Sequence, residues 1–180
     1  TTNAGNIYTR NKAMYSLLRY GVKARQELGE QFDTIFPIDW QNWEQNEFGI
    51  AEEVTLTKGE HTRRPDIVLY INGIAIGVLE LKRGTTDVAE SVNQSISNQK
   101  LLFNEWFYTT VQLIMAGNNT QGLRYGTIET QAKYYLAWKE DEDDNEGYKL
   151  DKYLKKLCDK ERLTDLIYNG VVFDAGVKKL

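Results

Sequence analysis

Two apolar runs dominate the middle of the chain, Ile67–Ile71 and Ile74–Leu81, with Asn72-Gly73 between them. Asn-Gly accepts positive φ at both central turn positions, so the pair predicts a two-residue β-hairpin. Neither run alternates with polar residues, which predicts strands covered on both faces. Earlier in the chain, Tyr8, Met14, Tyr15 and Leu18 recur at helical spacing and predict a helix over residues 8–20, which Gly21 can end. Residues 35–43 are aromatic and proline-containing, an extended segment leading into a loop, and residues 48–56 alternate loosely as a strand would. Residues 57–64 are polar and locally basic and predict a loop.

Beyond the hairpin, Thr85 or Thr86 can cap a helix over residues 87–103, with Val88, Val92, Ile96, Gln99 and Phe103 along one face. Residues 109–116 predict a further strand, closed by Gly117-Asn118-Asn119, and residues 132–138 a last strand or helical turn. Residues 150–158 and 162–168 predict helices. Strands followed by a helix and another strand give an α/β (α+β) mixed sheet flanked by helices.

With 180 residues, of which 41% are hydrophobic, the chain can close one substantial core. The lone Cys158 excludes an internal disulfide framework and fits a reducing compartment. No run is long enough to span a bilayer and no signal segment opens the chain, so the expected location is the cytoplasm, away from any membrane. A net charge of −4 speaks against tight, independent binding to nucleic acid. However, the seven residues from Glu140 to Glu146 are all acidic or amide, and without that block the remainder is nearly neutral.

The hairpin carries an anomaly. Asp66 stands at the entrance of its first strand, and Glu80 and Lys82 at the exit of its second, directly after Ile-Gly-Val-Leu. Charges at the end of so apolar a strand are costly unless paired or bound to a cation. A structural ion pair at the end of the sheet explains them as well as a metal site does. Glu80 and Lys82 are two apart and share a face. In a plain two-residue hairpin, however, Asp66 pairs with Leu79 and faces away from Glu80. Both carboxylates reach one face only if a bulge or a three-residue loop offsets the register by one. With that offset, two carboxylates beside one ammonium suit a hard divalent ion such as Mg²⁺.

Arg63-Arg64-Pro65-Asp66, the hairpin, and Glu80-Leu81-Lys82 resemble the PD-(D/E)xK nuclease motif, whose core is restriction-endonuclease-like. The longer string from Arg64 to Lys82 resembles the N-terminal nuclease domain of the motor (R) subunit of type I restriction enzymes. So do Asp39-Trp40, Asn46-Glu47-Phe48, Gln112-Leu113, Arg124-Tyr125-Gly126-Thr127 and Val172-Phe173-Asp174-Ala175-Gly176. The resemblance implies one nuclease domain over residues 1–180, the N-terminal piece of a longer ATP-dependent subunit. It implies Asp66 and Glu80 as metal ligands, the Leu81 carbonyl as a third, and Lys82 as catalytic. Mg²⁺ is the implied metal, with Mn²⁺ as a substitute, and ATP would act only in the full-length subunit. The implied partners are double-stranded DNA and the methyltransferase and specificity subunits of a restriction complex. Many members carry Q-x-x-x-Y after the motif; here Gln94 fills the glutamine place and is a candidate for DNA or active-site contact, while Asn98 stands where tyrosine is expected. An additional glutamate from an early helix is frequent in related nucleases, and Glu27, Glu30, Glu52 and Glu53 are the candidates.

Gly117-Asn-Asn-Thr-Gln-Gly122 has P-loop spacing, but Leu123-Arg124 follows in place of Lys-Ser/Thr, so a strand-ending turn is expected rather than a nucleotide site. Arg63 and Arg64 flank the motif as candidate contacts to the DNA backbone. His61, the only histidine, reads as a solvated loop residue. The four tryptophans read as core before they read as base-stacking platforms. Cys158 reads as a small buried residue.

Overall fold

The computed structural model describes residues 5–25, 27, 31–100, 103–139 and 147–180. Helix α1 (Ile7–Tyr20) starts where the Asn6 side chain accepts the Thr9 amide, and it ends at Gly21 with φ +79°. Strands β1 (Val22–Ala24) and β2 (Asp33–Ile35) form a short antiparallel pair. Next come β3 (Phe48–Glu52), β4 (Leu56–Lys58), β5 (His61–Arg63), β6 (Ile67–Ile71) and β7 (Ile74–Leu81). Helix α2 (Val88–Asn98) leads to β8 (Leu113–Asn118), β9 (Gly122–Gly126) and β10 (Leu136–Ala137). Helices α3 (Lys149–Leu157) and α4 (Lys160–Asp165) precede a final hairpin of β11 (Val172–Asp174) and β12 (Val177–Lys179).

Six of these strands form one mixed sheet in the order β10-β9-β8-β7-β6-β3. Only β7 and β8 run parallel, and α2 makes the crossover between them. The result is the α/β mixed sheet flanked by helices that the sequence pattern predicts, consistent with a restriction-endonuclease-like fold. The apolar runs of β6 and β7 are interior strands, because both faces of the sheet are covered. One face carries Val78, Ile114 and Ala116 against Val92 of α2. The other carries Leu69, Leu113 and Met115 against Tyr15 and Leu18 of α1, Leu157 of α3 and Leu163 of α4.

The Asn72-Gly73 turn forms with φ +50° and +76°, and Ile71 pairs with Ile74 and Tyr70 with Ala75 as in a plain hairpin. The register then slips at Leu69/Tyr70, so that Leu69 pairs with Gly77, Val68 with Val78 and Ile67 with Leu79. One extra residue on β7, Ile76, makes a β-bulge. The phase of burial changes with it: Ile74 and Ile76 join the α1/α3/α4 core, whereas Val78 joins the α2 core.

Several elements depart from the sequence expectation. Residues 57–64 are not a loop but mostly the β4–β5 hairpin, turned at Gly59 (φ +59°) with Thr57 opposite Thr62. Residues 48–56 break at Glu53 (φ +51°), which divides the expected strand into β3 and β4. Asp87, rather than Thr85 or Thr86, caps α2 by accepting the Ala89 amide at 2.9 Å. α2 stops at Asn98, earlier than expected. Strand β8 starts at Leu113 because Phe107–Thr109 close into a 3-10 turn. The turn from Gly117 to Gly122 ends β8: Asn118 Oδ1 accepts the amides of Thr120 and Gln121. The acidic block at 140–146 and Glu30 lie outside the described residues.

The β11–β12 hairpin is pinned by a buried lysine. Lys178 Nζ donates to Asn11 Oδ1 at 2.9 Å and Gln112 Oε1 at 2.6 Å, and burial pulls its pKa well below the usual lysine range. Both amides are oriented through their nitrogens, Asn11 Nδ2 donating to the carbonyls of Tyr108, Thr109 and Val111 and Gln112 Nε2 to that of Thr110. Trp40, Trp138 and the half-buried Cys158 pack against the larger core, and burial pushes the Cys158 thiol up to about 11. Among the described residues no helix is long and apolar enough to cross a membrane.

Candidate active site

The bulge at Ile76 is what assembles the site. Carried past Ile67↔Leu79, the offset register sets Asp66 opposite Glu80. Ile67 and Leu79 point into the α1/α3/α4 core, so their neighbours Asp66 and Glu80 both project on the α2 side. The condition for a shared site is therefore met. Lys82, two residues beyond Glu80, projects on the same side.

Each side chain is held. Asp66 Oδ2 accepts the Leu81 amide at 2.6 Å, which ties the entrance of β6 to the exit of β7. Glu80 is wholly buried. Its Oε2 accepts from Gln94 Nε2 and its Oε1 from Asn98 Nδ2, both at 2.8 Å. Gln94 and Asn98 are four residues apart on α2 and so present the same face of the helix. Gln94 also accepts from Lys82 Nζ at 2.6 Å. Its carboxamide thus stands between the glutamate and the lysine and holds both.

The electrostatics follow from that burial. Desolvation, and then the Asp66 charge, push the Glu80 carboxyl up to about 7, against the opposing pull of Lys82 and Asn98. Two carboxylates brought to one face, one of them dry, form a setting that a bound cation would relieve. The donor set suits a hard ion that takes one or two carboxylates and keeps several waters. Among the described residues no third Asp, Glu, His or Cys completes a metal cluster.

In front of the site lies an open cleft of about 740 Å³ lined by Asp66, Leu81, Lys82, Arg83, Glu52 and Glu53, among others. Of the early glutamates, Glu52 and Glu53 therefore reach the cleft, while Glu27 is not part of its lining. Glu53 is fixed by its own amide on the Asp66 carbonyl, 2.9 Å. Arg64 approaches Glu53 at 3.4 Å with both side chains exposed. Arg63 is elsewhere: its guanidinium lies 3.8 Å over the Phe103 ring, which His61 meets edge-on. Two features of the site are invisible in residue types alone, the bulge and the use of Asn98 as a donor to Glu80.

Comparison with known proteins gives a consistent result. The family model for the type I restriction enzyme R protein N terminus matches residues 1–133. The type I restriction enzyme HindI endonuclease subunit of Haemophilus influenzae is 25% identical over 185 residues, covering 96% of this chain and 17% of that protein. A protein of Methanocaldococcus jannaschii, named provisionally as the type I restriction enzyme MjaIXP endonuclease subunit, is 28% identical over 153 residues, 80% of this chain and 14% of that protein. The SsaAORF53P endonuclease subunit of a type I restriction enzyme from Staphylococcus saprophyticus is 27% identical over 107 residues. The chain spans less than a fifth of the length of these relatives.

Proposed function

The chain belongs to the family of type I restriction enzyme R protein N termini, and on that premise we propose that it is a Mg²⁺-dependent endonuclease domain, with Mn²⁺ as a substitute, that hydrolyses phosphodiester bonds of double-stranded DNA. It would act within a restriction complex whose methyltransferase and specificity subunits choose the sequence, so that this domain cuts with little base preference. Translocation driven by ATP would belong to regions beyond this domain.

The observation that carries the reading is the offset register, which puts Asp66, Glu80 and Lys82 on one face beside an open cleft. Asp66 and Glu80 would hold the cation, with the Leu81 carbonyl as a further ligand; bound there, the ion supplies charge neutralisation at the scissile phosphate and a lowered pKa for its water. The Leu81 amide keeps Asp66 in place. Lys82 carries three donors and spends one on Gln94, which leaves two for a phosphate oxygen or the attacking water. Because Gln94 separates it from Glu80, Lys82 keeps its charge available to the substrate. Arg64 and Arg63 would meet the DNA backbone outside the site.

In a restriction complex assembled with this domain, Asp66→Ala and Lys82→Ala should each abolish cleavage while translocation persists. Full cleavage by either variant would overturn the proposal. The complete burial of Glu80 favours a second reading, a catalytically silent docking domain in which the carboxylate serves only the fold. Calorimetric titration separates the two, since a silent domain binds no Mg²⁺ or Mn²⁺ through Asp66 and Glu80.

A further inference from the structure

We propose that Asn98 is a positioning residue of the site, setting the plane of the Glu80 carboxylate for cation binding; this rests on the reading of Asp66 and Glu80 as the ligands.

Asn98 occupies the last position of α2 and is only 2% exposed, so its amide has no solvent to turn to. Its Nδ2 donates to Glu80 Oε1 at 2.8 Å, while Gln94 Nε2 takes Oε2 at the same distance. One donor on each oxygen fixes both the rotation and the tilt of the carboxylate. A single donor would leave it free to turn about its terminal bond, a torsion with a broad, roughly two-fold profile. Both donors are neutral amides that cannot transfer a proton, so the carboxylate is oriented without being neutralised. Each oxygen still has lone-pair capacity after one hydrogen bond.

Neighbouring groups do not take over this task. Tyr108 lies close enough for the Glu80 charge to act on its phenol, but it donates no hydrogen bond to the carboxylate. Lys82 is hydrogen-bonded to Gln94 rather than to Glu80, so it acts on the carboxylate by charge and does not set its plane. A tyrosine at position 98 would offer one hydroxyl at the end of a long ring, whereas asparagine brings its donor in on a short stem. Partners of this kind, one shell out from a metal, typically change metal affinity 10–100-fold when removed.

Mn²⁺ titration calorimetry on the purified chain tests this, with thermal unfolding run in parallel. Asn98→Leu keeps the branched shape of the side chain and deletes the donor; it should weaken Mn²⁺ binding about ten-fold or more while the protein still unfolds cooperatively. Asn98→Ser, with a shorter hydroxyl donor, should fall between that variant and the parent. A merely structural role would lower the melting temperature and leave the affinity of the folded protein unchanged. Parental affinity in folded Asn98→Leu, together with loss of binding in Glu80→Ala, would overturn the role of Asn98 and leave the metal site standing. Parental affinity in Glu80→Ala would instead overturn the metal site, and the role of Asn98 with it. Should Asn98→Leu fail to fold, nuclear magnetic resonance of the parent decides. The Asn98 side-chain amide should shift and exchange more slowly on addition of Mg²⁺, and an unmoved signal would refute the role.

Discussion

Replacing Glu80 with glutamine removes a carboxylate that folding places in an unfavourable setting, and the size of the effect can be worked from its surroundings. Burial, and then the Asp66 charge, hold the carboxyl at about 7, against an ordinary 4.5. The folded chain therefore binds this proton more tightly than the unfolded chain does. Between those two values the folded state carries more protons, so its stability falls as pH rises. The contribution is fully present below 4.5 and is lost by the time pH has passed through about 7. The gap of about 2.5 between the two values, at about 1.4 kcal/mol per pH unit, amounts to about 3 kcal/mol at pH 8. At pH 5 less than about 1 kcal/mol of that penalty remains.

Glutamine avoids the penalty but brings one of its own. Gln94 and Asn98 both donate to position 80, so an amide there faces one donor with its own N–H₂. That mismatch costs about 1 kcal/mol at either pH. Glu80→Gln is therefore expected to match the parent near pH 5 and to exceed it by about 2 kcal/mol at pH 8. Urea denaturation at both pH values, in the presence of EDTA, reads the difference. The reasoning fails if the stability difference between variant and parent is the same at pH 5 and pH 8.

Two further outcomes follow from the packing around the site and from the C-terminal hairpin. A Cβ at Gly117 would lie 2.5 Å from Leu150 Cδ1 and 3.0 Å from the Gly122 carbonyl oxygen, so Gly117→Ala should cost about 1–3 kcal/mol in chemical denaturation. Because the Gly117 carbonyl accepts the Lys82 amide, the same change should also perturb the Lys82 backbone resonance. Lys178→Met should be destabilising, since it strips the buried Asn11 and Gln112 oxygens of their donor, at about 1–3 kcal/mol each. The pKa of Lys178 is lowered on folding, so the unfolded chain holds a proton that the folded one releases. The lysine's contribution therefore grows with pH up to the ordinary lysine range, by up to about 1.4 kcal/mol per pH unit. The deficit of Lys178→Met should accordingly be larger at pH 9 than at pH 7, and a deficit independent of pH would contradict a depressed lysine.

The interior of this fold is legible in the sequence because local rules and the tertiary structure agree there. Asn72-Gly73 sets its turn, and the unbroken apolar runs of β6 and β7 require cover on both sides, which the helices supply. Legibility ends where a few hydrogen bonds decide the outcome. Thr57 to Arg63 looks like a loop by composition, yet Gly59 allows a turn tight enough for β-branched Thr57 and Thr62 to pair. The site shows the same division. Charge at the end of an apolar strand marks Asp66, Glu80 and Lys82, and the family resemblance gives them roles. Their convergence depends on Ile76 being the extra residue of a bulge, and a register slip of one leaves almost no compositional trace. Asn98 was visible only as a departure from a motif, because its function is a donor direction that residue type does not encode.

The most direct measurement is a crystal of this protein soaked in Mn²⁺, with anomalous scattering recorded at the site. An anomalous peak for Mn²⁺ beside the Asp66 and Glu80 carboxylates is the expected result. Saturating Mn²⁺ that leaves no anomalous peak between those two carboxylates, in a lattice open to the cleft, would contradict a metal-dependent nuclease.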